Sequence, residues 1–429
     1  MSSSSARRTA DRSAESRRWA TLAATGPQGR STTRRSRSMP VGDRTDVFAG
    51  VAADVPDALA EHLRAVDLVD HHVHGTFNEA VDRAGFEAAI NEGSTDPVPS
   101  FMTQFDSPLG LAIRRWCAPV LDLEPLAGAD EYWSRRAEFG PDELSERFLR
   151  AAGVSRWVVD TGFKGDLITT PGQMTALSGV PSSEILRLER LTEDLLEAGT
   201  SPRDYPEAFR SALDEAVADQ GTVGVKTIAA YRVGFDVDWS RPSEATAVDS
   251  AERLVARGAP LRVDDPALIA FGVHEAAERG LPIQVHVGFG DRDLDLHRTD
   301  PLLLLPLLRA MTPVPVLLLH CYPFQRQAGY LAQAFDHVNF DVGLAINYLG
   351  PRSTSVVAEA LDTAPFAKQL YSSDAFGPPE LHLLGSILWR RAMGLVLGDW
   401  VRTGDCTEAD AIRIVDMIGV HNAERVYGL

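Results

Sequence analysis

The residues Asp70-His71-His72-Val73-His74 follow a largely apolar run, Val66-Asp67-Leu68-Val69. In an extended strand, side chains two positions apart point to the same side. His72 and His74 therefore face one way, and His71 is expected to face the other and to be structural. Two imidazoles on one face at the C-terminal end of a strand are half of a zinc-type site. Three further β-rich runs end in a residue able to bind metal: Ile283-Gln284-Val285-His286, Val316-Leu317-Leu318-Leu319-His320 and Leu370-Tyr371-Ser372-Ser373-Asp374. A single histidine after a strand is more often a satisfied or surface group. Three such strand ends beside a His-x-His pair are read together as one metal centre.

Two cations fall at a fourth strand end. Lys226 closes Val223-Gly224-Val225-Lys226, and Arg232 lies just beyond it in Ala230-Tyr231-Arg232. Lys226 is expected to touch an acidic substrate group or to pair with an acid near the site. A guanidinium such as Arg232 can grip a carboxylate through two parallel hydrogen bonds, and Arg298 is a weaker candidate of that kind. Cys321 follows His320 and is expected to point away from the site as a buried structural thiol. His62, His274, His337, His382 and His421 carry no strand-end context.

These residues need a scaffold that gathers strand ends. Eight β-rich runs recur along the chain, at 65–71, 157–160, 184–189, 222–228, 282–287, 314–320, 338–342 and 369–373, separated by helical segments such as 206–218 and 266–279. Alternating β and α units predict a parallel sheet covered by helices, and eight of them predict closure into a (β/α)₈ barrel with its site at the C-terminal mouth. A doubly wound open sheet would need a glycine-rich phosphate turn after its first strand. The fragment Gly288-Phe289-Gly290 follows the fifth strand instead and lacks the rest of that fingerprint. The connection after the first strand is long and helical. Residues 76–150 are expected to form a cap over the active-site face, because an insertion leaving a strand's C-terminal end emerges there.

Residues 1–38 differ from everything after them, with nine arginines, no lysine, and only Asp11 and Glu15 as acids. With no apolar periodicity to offset ordering entropy, residues 1–45 are expected to be a disordered basic tail, and 46–429 to form the barrel. The whole chain of 429 residues carries a formal charge of −18, which disfavours a nucleic-acid partner, since phosphate binding needs a positive face. The segment 301–319 contains Arg309 and four prolines, so it does not supply the roughly 20 apolar residues of a membrane span. Three scattered cysteines are too few for a disulfide framework, and a reducing cytoplasm is the simplest setting. A small molecule is the expected partner, and the sequence is compatible with a homo-oligomer.

The set of strand-end residues resembles that of the amidohydrolase superfamily, in the branch called amidohydrolase 2. The stretches His286-Val287-Gly288-Phe289-Gly290-Asp291, His320-Cys321-Tyr322-Pro323, Ala328-Gly329-Tyr330-Leu331-Ala332, Ser372-Ser373-Asp374 and the closing Asn422-Ala423-Glu424-Arg425 are similar to an amidohydrolase-like domain fused to glutamine synthetase in some plant and fungal proteins. The resemblance runs from about Val66 to Leu429. It implies a divalent metal, zinc first, held by His72, His74, His286 and Asp374. Asp374 would also be the general base, and His320 an electrophile or proton donor. It implies one ion per chain, with a second where His320 and a carboxylated, bridging Lys226 complete a binuclear set. The expected activity is hydrolysis of a C–N amide bond in a small carboxylated substrate such as a γ-glutamyl amide. Decarboxylation of an aromatic or enolic acid shares the same ligand set. A catalytically silent binding or scaffold barrel is the alternative of another class, and would be expected to have lost a ligand, whereas none is missing.

Overall fold

The protein is described by a computed structural model covering residues 46–94, 96–218 and 221–429. Residues 1–45, expected to form the basic tail, lie outside the described residues.

Seven strands follow one another in order, each parallel to the next. They are β1 Leu68–Val73, β2 Val154–Asp160, β3 Ser182–Arg187, β4 Thr222–Thr227, β5 Ile283–His286, β6 Val316–Leu319 and β7 Val338–Phe340. The ring is closed by the extended segment after Gln369. Gln369 bridges Phe340 in parallel, and Leu370 N–H donates to the Phe340 carbonyl at 3.0 Å. On its other edge, His71 N–H reaches the Tyr371 carbonyl at 3.2 Å and His74 N–H the Ala375 carbonyl at 2.8 Å, while Asp374 N–H returns a bond to the His72 carbonyl at 3.1 Å. The fold is a (β/α)₈ barrel whose eighth member is a hydrogen-bonded extended segment rather than a regular strand.

Strand limits differ from the sequence expectation where helices compete for the same residues. A helix, Asp57–Ala65, runs to the point where the first strand was placed, so β1 begins at Leu68 and extends through His72. Leu188 and Glu189 open the helix Leu188–Glu197 instead of ending β3. Helix starts repeatedly use a capping side chain followed by proline, as at Ser107-Pro108, Thr170-Pro171, Asp265-Pro266 and Asp300-Pro301. The cap side chain accepts an otherwise unpaired N–H, and proline sits where no N–H is needed.

The barrel interior identifies which side chains point inward. Val69, Val158, Ile185, Leu317, Leu319 and Leu370 form one buried cluster with Ala423, Val426 and Tyr427 of the C-terminal helix Asn422–Tyr427. Strands that are not neighbours meet there, so these are inward positions, and the last helix plugs the barrel beneath them. Between β1 and β2 the chain forms the helices Arg83–Ala89, Pro108–Trp116, Ala129–Arg136 and Pro141–Ala151. Arg136 ties this region to the barrel's long helix Pro379–Thr403 through a buried ion pair with Glu380, Nε to Oε1 at 2.6 Å. Among the described residues, no helix is long and apolar enough to cross a membrane.

Candidate metal centre and active site

At the C-terminal ends of the strands, His72, His74 and Asp374 present ligand atoms that all lie within 4.8 Å of one another. His72 Nε2 is 2.9 Å and His74 Nε2 3.7 Å from Asp374 Oδ1. His320 Nε2 stands 3.6 Å from the other oxygen, Oδ2. His286 lies against His320, ring centroids 4.2 Å apart, with Tyr231 on its other side at 4.5 Å. It lines the same cavity but stands outside the three-residue cluster.

The imidazoles are fixed in ligand-competent form. His74 Nδ1 lies 2.9 Å from the Asp160 carbonyl and His320 Nδ1 2.8 Å from the Val287 carbonyl. A carbonyl only accepts, so each Nδ1 carries the proton and each Nε2 offers a lone pair to the site. Burial holds both rings neutral, His74 down at about 3 and His320 at about 4. Burial also lowers His72 and His286, the first further disfavoured by Lys226 and the second by His320. Nε2 of His286 and of His320 are buried with no hydrogen-bond partner. Neutral rings, one carboxylate and orphaned nitrogens are the donor set a divalent cation requires. In this form the bare Nε2 of His320 can ligate a cation or accept a hydrogen bond.

The backbone is strained where these residues sit. His320, Cys321 and Asp374 hold φ values of 47, 43 and 48°, a left-handed region that costs an ordinary residue of order 1–3 kcal/mol and clusters at functional sites. In β1 the pairing register slips between Asp70 and Val73. The outward placement of His71 is overturned: it follows the inward-facing Val69 by ordinary alternation, and the slip is what lets His72 face the site as well. His71 lies buried inside the barrel, with Nε2 3.0 Å from Asp341 Oδ2 and Nδ1 3.1 Å from the Tyr427 hydroxyl. Burial opposes the charge of Asp341, but the bond and charge of His71, with His320 and the Gly343 N–H, together outweigh it and hold the carboxyl below its usual range. Its Oδ1 accepts from His320 N–H, Gly343 N–H and the Ser372 hydroxyl, which anchors the sixth and eighth strand ends together.

Lys226 is buried and bonds in two directions, to Asp160 Oδ2 at 3.0 Å and to His72 Nε2 at 2.9 Å. Arg232 borders the cavity, but Glu193 neutralises it, Nη1 to Oε1 at 2.8 Å. The charge expected to meet a substrate carboxylate is therefore already matched. Arg298 pairs with Asp236 at 2.6 Å and donates to the Val233 carbonyl, which makes it structural. Cys321 is buried, with its thiol on the Leu318 carbonyl. Sequence reasoning passed over Asp160 and Arg187, although both occupy strand ends like the residues it chose. It also passed over His382, whose Nε2 meets the His74 carbonyl at 2.9 Å.

The cavity above the centre holds about 360 Å³. Ala88, Ala89, Asn91 and Glu92 of the β1–β2 insertion form part of its wall, opposite His74, Lys226, His286 and Asp374. Glu92 is pushed up to about 8, by burial first and then by Asp374 and Asp291. Phe163 and Phe376, with ring centroids 4.9 Å apart, flank His74 on the same mouth.

A barrel with histidines and an aspartate converging at its C-terminal mouth defines a hydrolase of the metal-dependent type. The chain belongs to the amidohydrolase family, whose profile matches residues 188–429. It is 29% identical over 280 residues to Protein fluG of Emericella nidulans, a match covering 58% of this chain and 32% of that protein. The chain thus spans about a third of the length of this curated relative. Among solved structures, a candidate metal-dependent hydrolase from Lactobacillus casei superposes with a TM-score of 0.72 at 27% identity, covering 86% of this chain and 97% of that one. A uronate isomerase from Bacillus halodurans, at 14% identity and a TM-score of 0.57 over 86% and 95% of the two chains, shares the fold.

Proposed function

We propose that the protein hydrolyses a C–N amide bond in a small carboxylated substrate, a γ-glutamyl amide being the first candidate. The observation that supports this reading most directly is the convergence of His72, His74 and Asp374 within 4.8 Å beneath a cavity of substrate size. His72, His74 and Asp374 would hold one divalent ion, zinc first, with His286 and His320 as adjoining lone pairs. A bound divalent ion acts as a Lewis acid and lowers the pKa of water from about 15.7 to about 7. Asp374 would take the proton from the attacking water and return it to the leaving nitrogen. His74 keeps its lone pair toward Asp374 because Asp160 fixes its other nitrogen. The insertion that carries Glu92 forms part of the wall of that cavity.

The aromatic pair Phe163 and Phe376 favours a second reading on the same residues, decarboxylation of an aromatic or enolic acid, because a planar ring would stack there. The test is metal analysis of the purified protein followed by incubation with γ-glutamyl amides and with aromatic acids. Ammonia or amine release supports hydrolysis. Carbon dioxide release from the aromatic acids replaces it with the second reading, and protein that binds no divalent ion overturns both.

A further inference from the structure

We propose that Arg187 binds an anionic group of the substrate, a carboxylate, on the β2–β3 side of the cavity. This rests on the reading above that the substrate is small and carboxylated, and it names the residue that reads the charge. Arg187 ends β3, is 6% exposed and lines the cavity. Its Nη2 lies 2.5 Å from Asp160 Oδ2, the same oxygen that Lys226 approaches at 3.0 Å. Asp160 Oδ1 is occupied by the Gly162 N–H at 2.9 Å. One carboxylate thus serves two buried cations, Asp374 lying on the far side of His72 from Lys226, so Arg187 does not have Asp160 to itself. Arg232 on the same wall also has a buried Nε without a partner, but its charge is matched one to one by Glu193.

The guanidinium is also incompletely bonded. Nε of Arg187 is buried and has no hydrogen-bond partner. A buried guanidinium N–H without an acceptor is costly, and a carboxylate held by a planar N–H fork is the strongest partner for it. Sequence and fold make room for this arrangement. A Cβ added at Gly162 would come within 2.4 Å of Arg187 Cβ and 2.9 Å of its Nε, so glycine at the end of β2 lets the arginine pass. Its guanidinium lies 5.7 Å from the Phe163 ring centroid, along the cavity's aromatic side. Asp160 and Lys226 connect it to His72, so an anion at Arg187 lies a short substrate's length from the metal ligands.

The probes are glutarate and its neutral diamide, glutaramide, titrated calorimetrically into the full-length, metal-loaded protein. The parent is expected to bind glutarate at least about tenfold more tightly than glutaramide. Arg187→Gln should abolish that preference while metal content and the binding of acetohydroxamate, a neutral metal-directed probe, stay unchanged. If Arg187→Gln loses metal or fails to fold, Arg187→Lys is read instead. It keeps Asp160 paired but lacks the fork, and should still lose glutarate affinity about tenfold. Equal binding of the two probes by the parent, or a preference that survives whichever variant is read, overturns the assignment. Failure of the amide-hydrolysis reading would appear as absence of ammonia or amine release with the glutarate preference intact, so the two ideas fail separately.

Discussion

Nζ of Lys226 lies 2.9 Å from Nε2 of His72, the nitrogen that also stands 2.9 Å from Asp374 Oδ1. An ammonium and a metal ion would therefore draw on the same lone pair, so Lys226 opposes rather than supports occupancy at His72. Lys226→Met should bind zinc at least as tightly as the parent in chelator competition, with the larger kinetic effect on KM. Metal lost in this variant and restored by short carboxylic acids would show instead that a carboxylated lysine bridges two ions.

The ligand set predicts separable losses. His72→Ala combined with His74→Ala should leave the protein folded but without bound divalent ion, measured by elemental analysis and circular dichroism. Asp374→Asn should reduce turnover by at least about two orders of magnitude, the usual range for loss of a general base. Metal content unchanged in the double variant would remove these histidines from the centre.

Asp160 holds two buried cations at once, and its charge is retained because Arg187 and Lys226 outweigh the burial that opposes it. Asp160→Asn would leave both cations without their carboxylate. Breaking a buried pair in this way costs about 3–5 kcal/mol, which should appear as a lower urea midpoint at unchanged slope. A midpoint within error of the parent would mean that solvent reaches this cluster.

Asp70 supplies a pH prediction. Burial raises its carboxyl from 3.8 to about 8, only partly offset by bonds from Ser373. The folded state therefore binds a proton that the unfolded state has released between about pH 4 and pH 8. The stabilisation from this proton is complete below pH 4 and is lost as pH rises through 8. Asp70→Asn, which mimics the protonated form, should match the parent near pH 4, be already more stable at pH 6 and hold its full advantage by pH 9. Parallel melting-temperature profiles for the two proteins across this range would contradict a protonated Asp70.

The sequence by itself determined the barrel and the residue types at its mouth. Alternating β and helical periods specify a parallel sheet, and period-two alternation aligns His72 with His74. Runs ending in His286, His320 and Asp374 mark strand ends, because local apolar pattern and strand propensity are properties of neighbouring residues. The tertiary structure decided what alternation could not. A register slip between Asp70 and Val73 lets the consecutive His71 and His72 both face the interior, and an extended segment closes the ring through bonds to β1 and β7. Charge matching was also beyond the local pattern. Arg232 is neutralised by Glu193, 39 positions away, and Arg187 shares Asp160 with Lys226. Whether a buried cation is spent on a structural partner or left for a ligand depends on which distant carboxylates the fold brings within hydrogen-bond reach, and only the packed barrel fixes that.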